Sequence, residues 1–265
     1  MRVPLSLMAL LAALLSTASV PASAESGPAW DACIGLTSTP DERVKACSTV
    51  IDTRSETGQR LAGAYCNRAI AEYDQAIKLD PSLALAYSNR GESRFNKGDL
   101  EGAFADFDAA IKRDPNYATA YANRALVYYR RHDMAHALAD YTVRIKLAPD
   151  LLAYIGRGNV YRDSEQLDRA AADYGEAIRV APTDARGWRN RGMIRLYQGD
   201  NKGGLADYDK ALQYDPADVF SWNNRGQARM RLGDKQGAIA DFRKALELKP
   251  GLQTAQESLK RLGAL

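Results

Sequence analysis

The chain is poor in the residue types on which catalytic and metal sites most often depend. It has 2 histidines and 3 cysteines among 265 residues, and no zinc-protease, P-loop or dinucleotide fingerprint is present. The formal net charge is +3, which does not predict the concentrated basic face of a nucleic-acid-binding protein. His132 and His136 have the i, i+4 spacing of a helical metal pair, but they flank a turn, and a solvated turn is the better interpretation. We therefore expect no enzyme activity, cofactor, metal or nucleic-acid partner.

Long apolar runs are missing except at the start of the chain. Arg2 precedes an apolar run over residues 3–15, and small residues end in Ala22-Ser23-Ala24. A charged start, a hydrophobic stretch and an A-x-A site are typical of a secretory signal. A membrane anchor is the alternative, disfavoured because the run is short for a bilayer. The sequence predicts that residues 1–24 are a signal peptide, and that the mature protein is periplasmic or secreted without membrane insertion.

Export changes the interpretation of the cysteines. Cys33 and Cys47 lie on either side of Thr39–Glu42, a segment that has the N-cap, first-turn proline and glutamate of a capping box. Two short antiparallel helices would each carry one cysteine. We expect a Cys33–Cys47 disulfide to join them, as is common outside the reducing cytosol. Cys66 is then left as a buried thiol, although three cysteines permit three pairings.

The strongest signal is a proline that recurs with spacings of 34, 34, 33, 34 and 34 residues. A fixed period of this size indicates a repeat architecture. Aligned on the prolines, each full unit has an aromatic residue at position 4, another at position 24, and small residues at positions 8, 20 and 27, except that Arg144 occupies position 27 of the second full unit. The prolines are Pro81, Pro115, Pro149, Pro182, Pro216 and Pro250.

This pattern resembles the tetratricopeptide-repeat family over residues 61–250. The resemblance implies an all-α, right-handed superhelical solenoid of antiparallel helix hairpins, stacked so that each unit buries its neighbour's apolar face. It also implies a protein that binds proteins or peptides on its concave face. The predicted organisation is a signal peptide (1–24), an N-terminal helical hairpin (25–60), a truncated unit (61–83), five full units (84–117, 118–150, 151–184, 185–218 and 219–250) and a C-terminal capping helix (251–265).

Three units depart from the pattern. The truncated unit lacks positions 8 to 19, so we expect its two helices to merge into one helix from about Leu61 to Leu79. In the third full unit Glu165-Gln166 replaces the Gly-Asp that usually ends one helix and caps the next. We expect that turn to be made differently. His132 replaces the turn glycine of the second full unit.

Opposite charges repeat in register along the units. Arginine occupies position 7 and an acidic residue position 23, which suggests bidentate Arg–carboxylate pairs between packed helices. We interpret them as a structural ladder rather than a catalytic feature. Its members are Arg90, Asp106, Arg124, Asp140, Arg157, Asp173, Arg191, Asp207, Arg225 and Asp241.

An asparagine recurs at position 6, which by resemblance to the family lies on the concave face. Its carboxamide both donates and accepts hydrogen bonds, so it can pair with a peptide group of any sequence. We call this set the asparagine ladder; Gly156 interrupts it. The alternative is a packing signature in which each asparagine bonds its own scaffold. The ladder consists of Asn67, Asn89, Asn123, Asn190 and Asn224.

Other concave positions are expected to determine specificity. They are partly aromatic and become basic towards the C-terminal half, which favours an extended protein or peptide segment of acidic character. A role in envelope assembly or secretion would fit an exported scaffold. The alternatives are a self-associating structural protein that forms a homo-oligomer and, more distantly, an enzyme or metal-binding protein. The groove residues are Phe95, Tyr129, Arg130, Arg162, Arg186, Arg189, Tyr197 and Arg231.

Overall fold

A computed structural model describes residues 27–35 and 38–265. These ranges contain fourteen helices and no strand. The chain divides into two compact units, residues 1–72 and 73–265, and the division falls inside the third helix. The predicted signal peptide at residues 1–24 lies outside the described ranges.

The first unit begins with two short helices, α1 (Pro28–Ile34) and α2 (Pro40–Asp52). The predicted capping box at the start of α2 is confirmed. The backbone N–H of Glu42 donates to Oγ1 of Thr39 at 3.3 Å, and the backbone N–H of Thr39 donates to Oε2 of Glu42 at 2.8 Å. The hydrogen bond from the Thr39 backbone lowers the pKa of the Glu42 carboxyl.

Cysteines lie at the centre of the first unit. Cys33 and Cys47 are fully buried with Val50 and Ala64, and the structure joins the two cysteines as a disulfide with their Cα atoms 4.7 Å apart. The formation of this bond in the exported protein stays a prediction, tested below. Cys66 is unpaired and half-buried, not buried as expected, because the residues with the most buried positions on its helix are Ala64, Asn67 and Ile70.

The predicted merged helix is confirmed. A single helix, α3, extends from Gly58 to Leu79, three residues longer at its start than expected, with no turn at the junction of the two shortened helices. Removal of positions 8 to 19 deletes the turn glycine and the N-cap, so no residue here ends the helical backbone. The second unit begins in the last turns of this helix.

Five helical hairpins follow in the second unit, which is an all-α repeat solenoid. A last helix, α14 (Gln253–Arg261), packs against the fifth hairpin through the buried Ala255 and Leu259. The hairpins are α4 (Ala84–Lys97) with α5 (Leu100–Arg113), α6 (Ala118–Arg130) with α7 (Met134–Leu147), α8 (Leu151–Asp163) with α9 (Leu167–Val180), α10 (Ala185–Tyr197) with α11 (Asn201–Tyr214), and α12 (Val219–Arg231) with α13 (Lys235–Leu248).

Each hairpin is held by a large aromatic residue at position 24 against a small residue at position 8. Phe107, Tyr174 and Phe242 are at most 1% exposed. A Cβ atom added at Gly91 would lie 2.7 Å from the Phe107 ring, which no side chain tolerates without a shift. The glycine therefore lets the two helices approach to the distance that the aromatic ring requires.

Turns inside the hairpins have one common geometry. Gly199 has a φ of +84°, and His132 and Glu165 adopt the same left-handed region at +59° and +60°. The expectation that the Glu165 turn is made differently is wrong. The backbone N–H of Gln166 closes it on the carbonyl of Tyr161 at 2.9 Å, and helix packing outweighs a local cost of about 1–2 kcal/mol for a non-glycine residue. Gln166, however, forms no side-chain cap on α9.

The first helices of the five hairpins lie side by side. Each of α4, α6, α8, α10 and α12 contacts the next in this series, so together they form one surface that carries positions 2 to 13 of every unit. None of the helices in the described ranges has the length and apolarity that crossing a bilayer requires.

Candidate functional site

The Arg–Asp ladder lies inside the hairpins. Each arginine of a first helix donates from Nε and Nη2 to both carboxylate oxygens of the aspartate 16 residues later, at 2.5 to 2.9 Å. The aspartates are at most 5% exposed. This is the bidentate geometry expected of strong charge-assisted pairs. The pairs are Arg90–Asp106, Arg124–Asp140, Arg157–Asp173, Arg191–Asp207 and Arg225–Asp241.

The third guanidinium nitrogen of the ladder arginines extends to the preceding hairpin. Nη1 of Arg124 donates to Asp108 at 3.0 Å and Nη1 of Arg225 donates to Asp209 at 2.8 Å. In the same way Arg90 reaches Asp74 at 2.7 Å. Sequence reasoning missed this second acidic row, although its signal was an aspartate recurring two residues after the first. The ladder thus forms an ion pair to the preceding element at three junctions, and at a fourth Nη1 of Arg157 donates to Oγ1 of Thr142 at 3.2 Å. Its role is structural.

The hydrogen bond to Asp140 raises the pKa of the Arg124 guanidinium, and burial opposes it with a smaller effect. The arginine is therefore charged at every pH at which the protein is folded. Its fixed charge has a buried carboxylate on one side and a half-exposed one on the other. No part of this charge is available to a ligand.

The side chains of the asparagine ladder, unlike those of the Arg–Asp ladder, are mostly not bound within the scaffold. The carboxamides of Asn89, Asn123 and Asn190 are half-buried and make no hydrogen bond to another residue in the described ranges. The alternative in which every ladder asparagine bonds its own scaffold does not describe these three. Asn224 does have a partner, because its Oδ1 accepts from Nδ2 of Asn223 at 3.2 Å. Asn67 belongs to the first unit and is only 4% exposed, so its amide is not accessible to a ligand.

The groove residues of the C-terminal half are mostly paired within the scaffold. Arg162 donates to Asp163 at 2.6 Å, and the hydroxyl of Tyr129 donates to the same carboxylate. Burial would raise the pKa of the Asp163 carboxyl, but the hydrogen bonds from Arg162 and Tyr129 lower it overall. Three further groove arginines are also bound: Arg186 to Asp184 at 2.8 Å, Arg189 to Asp218 at 3.4 Å, and Arg231 to the carbonyl of Leu196 at 2.8 Å.

Two groove residues have polar groups that no other described residue binds. Arg130 has no carboxylate partner among the described residues, and its guanidinium carbon lies 5.6 Å from the ring centre of Phe95. Tyr197 is 56% exposed and makes no hydrogen bond within the described part of the chain. The groove is therefore less positive than its arginine content suggests.

Exposed apolar side chains also lie along the first helices. Leu85 and Leu152 occupy position 2 of their units and are 50% and 60% exposed, and Phe220 at the same position of the fifth unit is 55% exposed. Sequence reasoning left out both leucines, although Arg186, which it included in the groove, occupies the same position 2 of its unit. Such residues offer apolar area to a ligand at several points along the surface.

A small cavity opens beside Asn123, between the first and second full hairpins. Its volume is about 110 Å³, and its walls combine aromatic and aliphatic groups with carboxylate and amide groups. It is large enough for part of one side chain. The lining residues are Glu92, Phe95, Asn96, Phe107, Asn123 and Leu126.

The two histidines have ordinary structural surroundings. His132 makes the left-handed turn, and Nδ1 of His136 lies 2.7 Å from Oδ2 of Asp133, which also caps α7. Within the ranges that the structure describes, no group of three or more His, Cys, Asp or Glu residues could hold a metal ion.

Solved structures with the same fold are repeat proteins. YrrB, described as a TPR protein with an unusual peptide-binding site, is 21% identical with a TM-score of 0.58, over 71% of this chain and 97% of that chain. MamA of Desulfovibrio magneticus RS-1 is 21% identical with a TM-score of 0.57, over 64% and 96%. TTC0263 of Thermus thermophilus is 20% identical with a TM-score of 0.52, over 69% and 100%. At these identities the likeness shows the fold.

Family models match most of the repeat region. A model described as "Tetratricopeptide repeat" matches residues 155–196 and 190–252, and one described as "TPR repeat" matches residues 66–98 and 91–131. No curated protein matches the chain. The matched ranges, the five hairpins and the solved relatives agree, and the chain belongs to the tetratricopeptide-repeat family.

Proposed function

We propose that this protein is an exported, non-enzymatic scaffold whose surface of first helices binds an extended segment of another protein. The observation that carries the proposal is the set of three unbonded carboxamides at Asn89, Asn123 and Asn190. A part-exposed amide without a partner in the scaffold keeps its donor and its acceptor available to a ligand. A peptide backbone supplies the missing donor and acceptor at regular intervals.

The remaining surface supports the same kind of ligand. Exposed apolar residues at position 2 and the cavity beside Asn123 can take side chains, so the amides would hold the backbone and these features would select the sequence. The description of YrrB as a peptide-binding TPR protein is consistent with such a ligand.

Few cations of the groove are available to bind an acidic partner. Because Arg162, Arg186 and Arg189 already bind carboxylates of the scaffold, Arg130 is the groove cation best able to meet an acidic side chain. We therefore propose that charge contributes little to affinity, and that an acidic residue of the partner, where present, lies near Arg130. Rim charges mainly change association rates and salt dependence.

The site of action is proposed from the sequence. The predicted signal peptide at residues 1–24 and the buried Cys33–Cys47 pair both suit an oxidising compartment outside the cytosol. We propose a role in the assembly or secretion of envelope proteins, because a peptide-binding scaffold in that compartment would meet extended chains there.

Affinity capture from the envelope fraction tests the proposal. The mature protein serves as bait beside a variant with Asn89→Ala, Asn123→Ala and Asn190→Ala. We expect a partner that is enriched by the wild type and lost by the variant, with equal helicity and melting temperature for both baits. A partner retained equally by both baits would move binding away from the asparagine ladder.

Self-association is a second candidate because of exposed leucines near the start of the second unit. Leu79 is 87% exposed, and Leu83 and Leu85 are 38% and 50% exposed, all within seven residues. Exposed apolar clusters of this kind favour protein contacts. Light scattering decides it, because a mass that stays monomeric at every concentration excludes the homo-oligomer.

A further inference from the structure

The asparagine ladder is interrupted at Gly156 on α8, and the space there is filled from another helix. A Cβ atom at residue 156 would lie 2.6 Å from Cζ of Tyr141 and 2.9 Å from its hydroxyl oxygen. These distances are shorter than any real Cβ contact. The tyrosine of α7 therefore occupies the position at which the asparagine side chain of the other hairpins begins.

The hydroxyl of Tyr141 has hydrogen-bonding capacity that the scaffold leaves unused. A phenol donates one hydrogen bond and accepts others, yet this hydroxyl makes none to another residue in the described ranges. Tyr174, at the same position of the next unit, differs in this respect, because its hydroxyl donates to Oδ1 of Asn159 at 2.7 Å. Burial raises the pKa of Tyr141, so its hydroxyl stays protonated and remains a donor.

We infer that the Tyr141 hydroxyl takes the place of the missing asparagine and hydrogen-bonds the backbone of the bound segment between the positions of Asn123 and Asn190. The inference rests on the proposed function and assigns it a further binding residue. The ligand group is a peptide amide, and its carbonyl oxygen is the natural acceptor for the phenol.

This role also explains why residue 156 is glycine. An asparagine at 156 would displace the Tyr141 ring, whereas glycine leaves room for the ring against α8, where Tyr141 keeps an exposed fraction of 5%. Helix α8 belongs to the unit whose leading connection is one residue shorter, with a proline spacing of 33 instead of 34. The tyrosine hydroxyl therefore replaces the asparagine carboxamide at the one junction among the five full units whose connection has a different length.

The test uses a defined ligand. Random twelve-residue peptides displayed on phage are selected on the wild-type mature protein, and the best binder is synthesised. Tyr141→Phe keeps the ring and removes the hydroxyl alone, so we expect an affinity roughly three- to tenfold weaker with an unchanged melting temperature. The control is Tyr214→Phe, because Tyr214 lies at the end of a second helix, is 37% exposed and makes no hydrogen bond to another described residue; we expect a change of less than about twofold.

The outcomes separate this inference from the proposed function. A peptide whose affinity depends on Asn123 and Asn190 but is equal for wild type and Tyr141→Phe overturns the role of Tyr141 and leaves the proposed function intact. If no selected peptide depends on any member of the asparagine ladder, both are overturned. A loss with Tyr141→Phe that Tyr214→Phe does not reproduce supports the inference.

Discussion

The guanidinium of Arg191 donates to both carboxylate oxygens of Asp207, at 2.9 and 2.8 Å, but its third nitrogen has no acidic partner among the described residues. At the corresponding place Arg90, Arg124 and Arg225 each reach an aspartate of the preceding hairpin. That place is Gly175 here, and a Cβ atom added to it would lie 3.9 Å from Nη1 of Arg191. This junction therefore lacks the ion pair that three others have, and at the remaining junction Nη1 of Arg157 donates to the hydroxyl of Thr142 at 3.2 Å.

Gly175→Asp is expected to stabilise the protein by supplying this pair. The added helix propensity and a part-exposed ion pair together should raise the free energy of unfolding by about 0.5–1 kcal/mol. Gly175→Asn is the control, because asparagine and aspartate have similar helix propensities. Chemical denaturation at low salt should place the Asp variant above the Asn variant, with a difference that shrinks at high salt. Equal stabilities at low salt would contradict the assigned role of this position.

Glu165→Gly is expected to stabilise the third full unit. Glu165 has a φ of +60°, and glycine adopts this region without the clash between Cβ and the carbonyl oxygen, so a gain of about 1 kcal/mol is expected in thermal or chemical unfolding. The reverse change, Gly199→Glu at a φ of +84°, should cost a similar amount. A loss of stability with Glu165→Gly would show that the glutamate side chain contributes more than its backbone conformation costs.

The Cys33–Cys47 disulfide is testable by counting thiols. The denatured, oxidised mature protein should expose one reactive thiol, from Cys66, and three after reduction. The bond closes a loop with a sequence separation of 14, so its reduction should destabilise the first unit by roughly 3 kcal/mol in the chain-entropy model. Three reactive thiols before reduction, in protein purified from the exported fraction, would exclude the bond.

The cavity beside Asn123 is expected to hold an apolar part of the ligand. Leu126→Glu places a charge in its wall, and since Leu126 is 39% exposed the fold should tolerate the change. Affinity for a selected peptide should fall about tenfold or more, because an apolar side chain would no longer be buried there. Leu147→Glu is the matched control at 36% exposure at the end of a second helix. Equal affinities for the two variants would place the peptide outside the cavity.

Local signals explain why the hairpins were predictable. Three of the five full units have the turn between their helices marked by a Gly-Asp pair, such as Gly98 with Asp99, which caps α5 by accepting from the Gly102 N–H at 2.9 Å. The merged helix α3 followed from the same reasoning, because its turn residues are absent. Where the end signal was weak, at Glu165, the sequence misled, since packing of the flanking helices imposed the left-handed turn.

Contacts between hairpins were harder to predict. The groove seemed basic because Arg162, Arg186 and Arg189 were counted without their partners. Asp163 and Asp184 are close in sequence to Arg162 and Arg186, so those two pairs had a local signal. Arg189 meets Asp218 of the next hairpin, and this pair depends on the angle between units. The approach of Tyr141 to Gly156 has the same origin, because one missing residue in a connection has no evident consequence until the helices are placed.

Titration calorimetry with one selected peptide tests the central claim most directly. The mature protein is compared with the Asn89→Ala, Asn123→Ala, Asn190→Ala variant and with a control in which Gln213→Ala and Gln236→Ala remove exposed amides from second helices. The account predicts an affinity about thirtyfold or more weaker for the asparagine variant, and an unchanged affinity for the control. An asparagine variant that melts like the wild type and binds within about twofold of it would contradict peptide binding by the asparagine ladder.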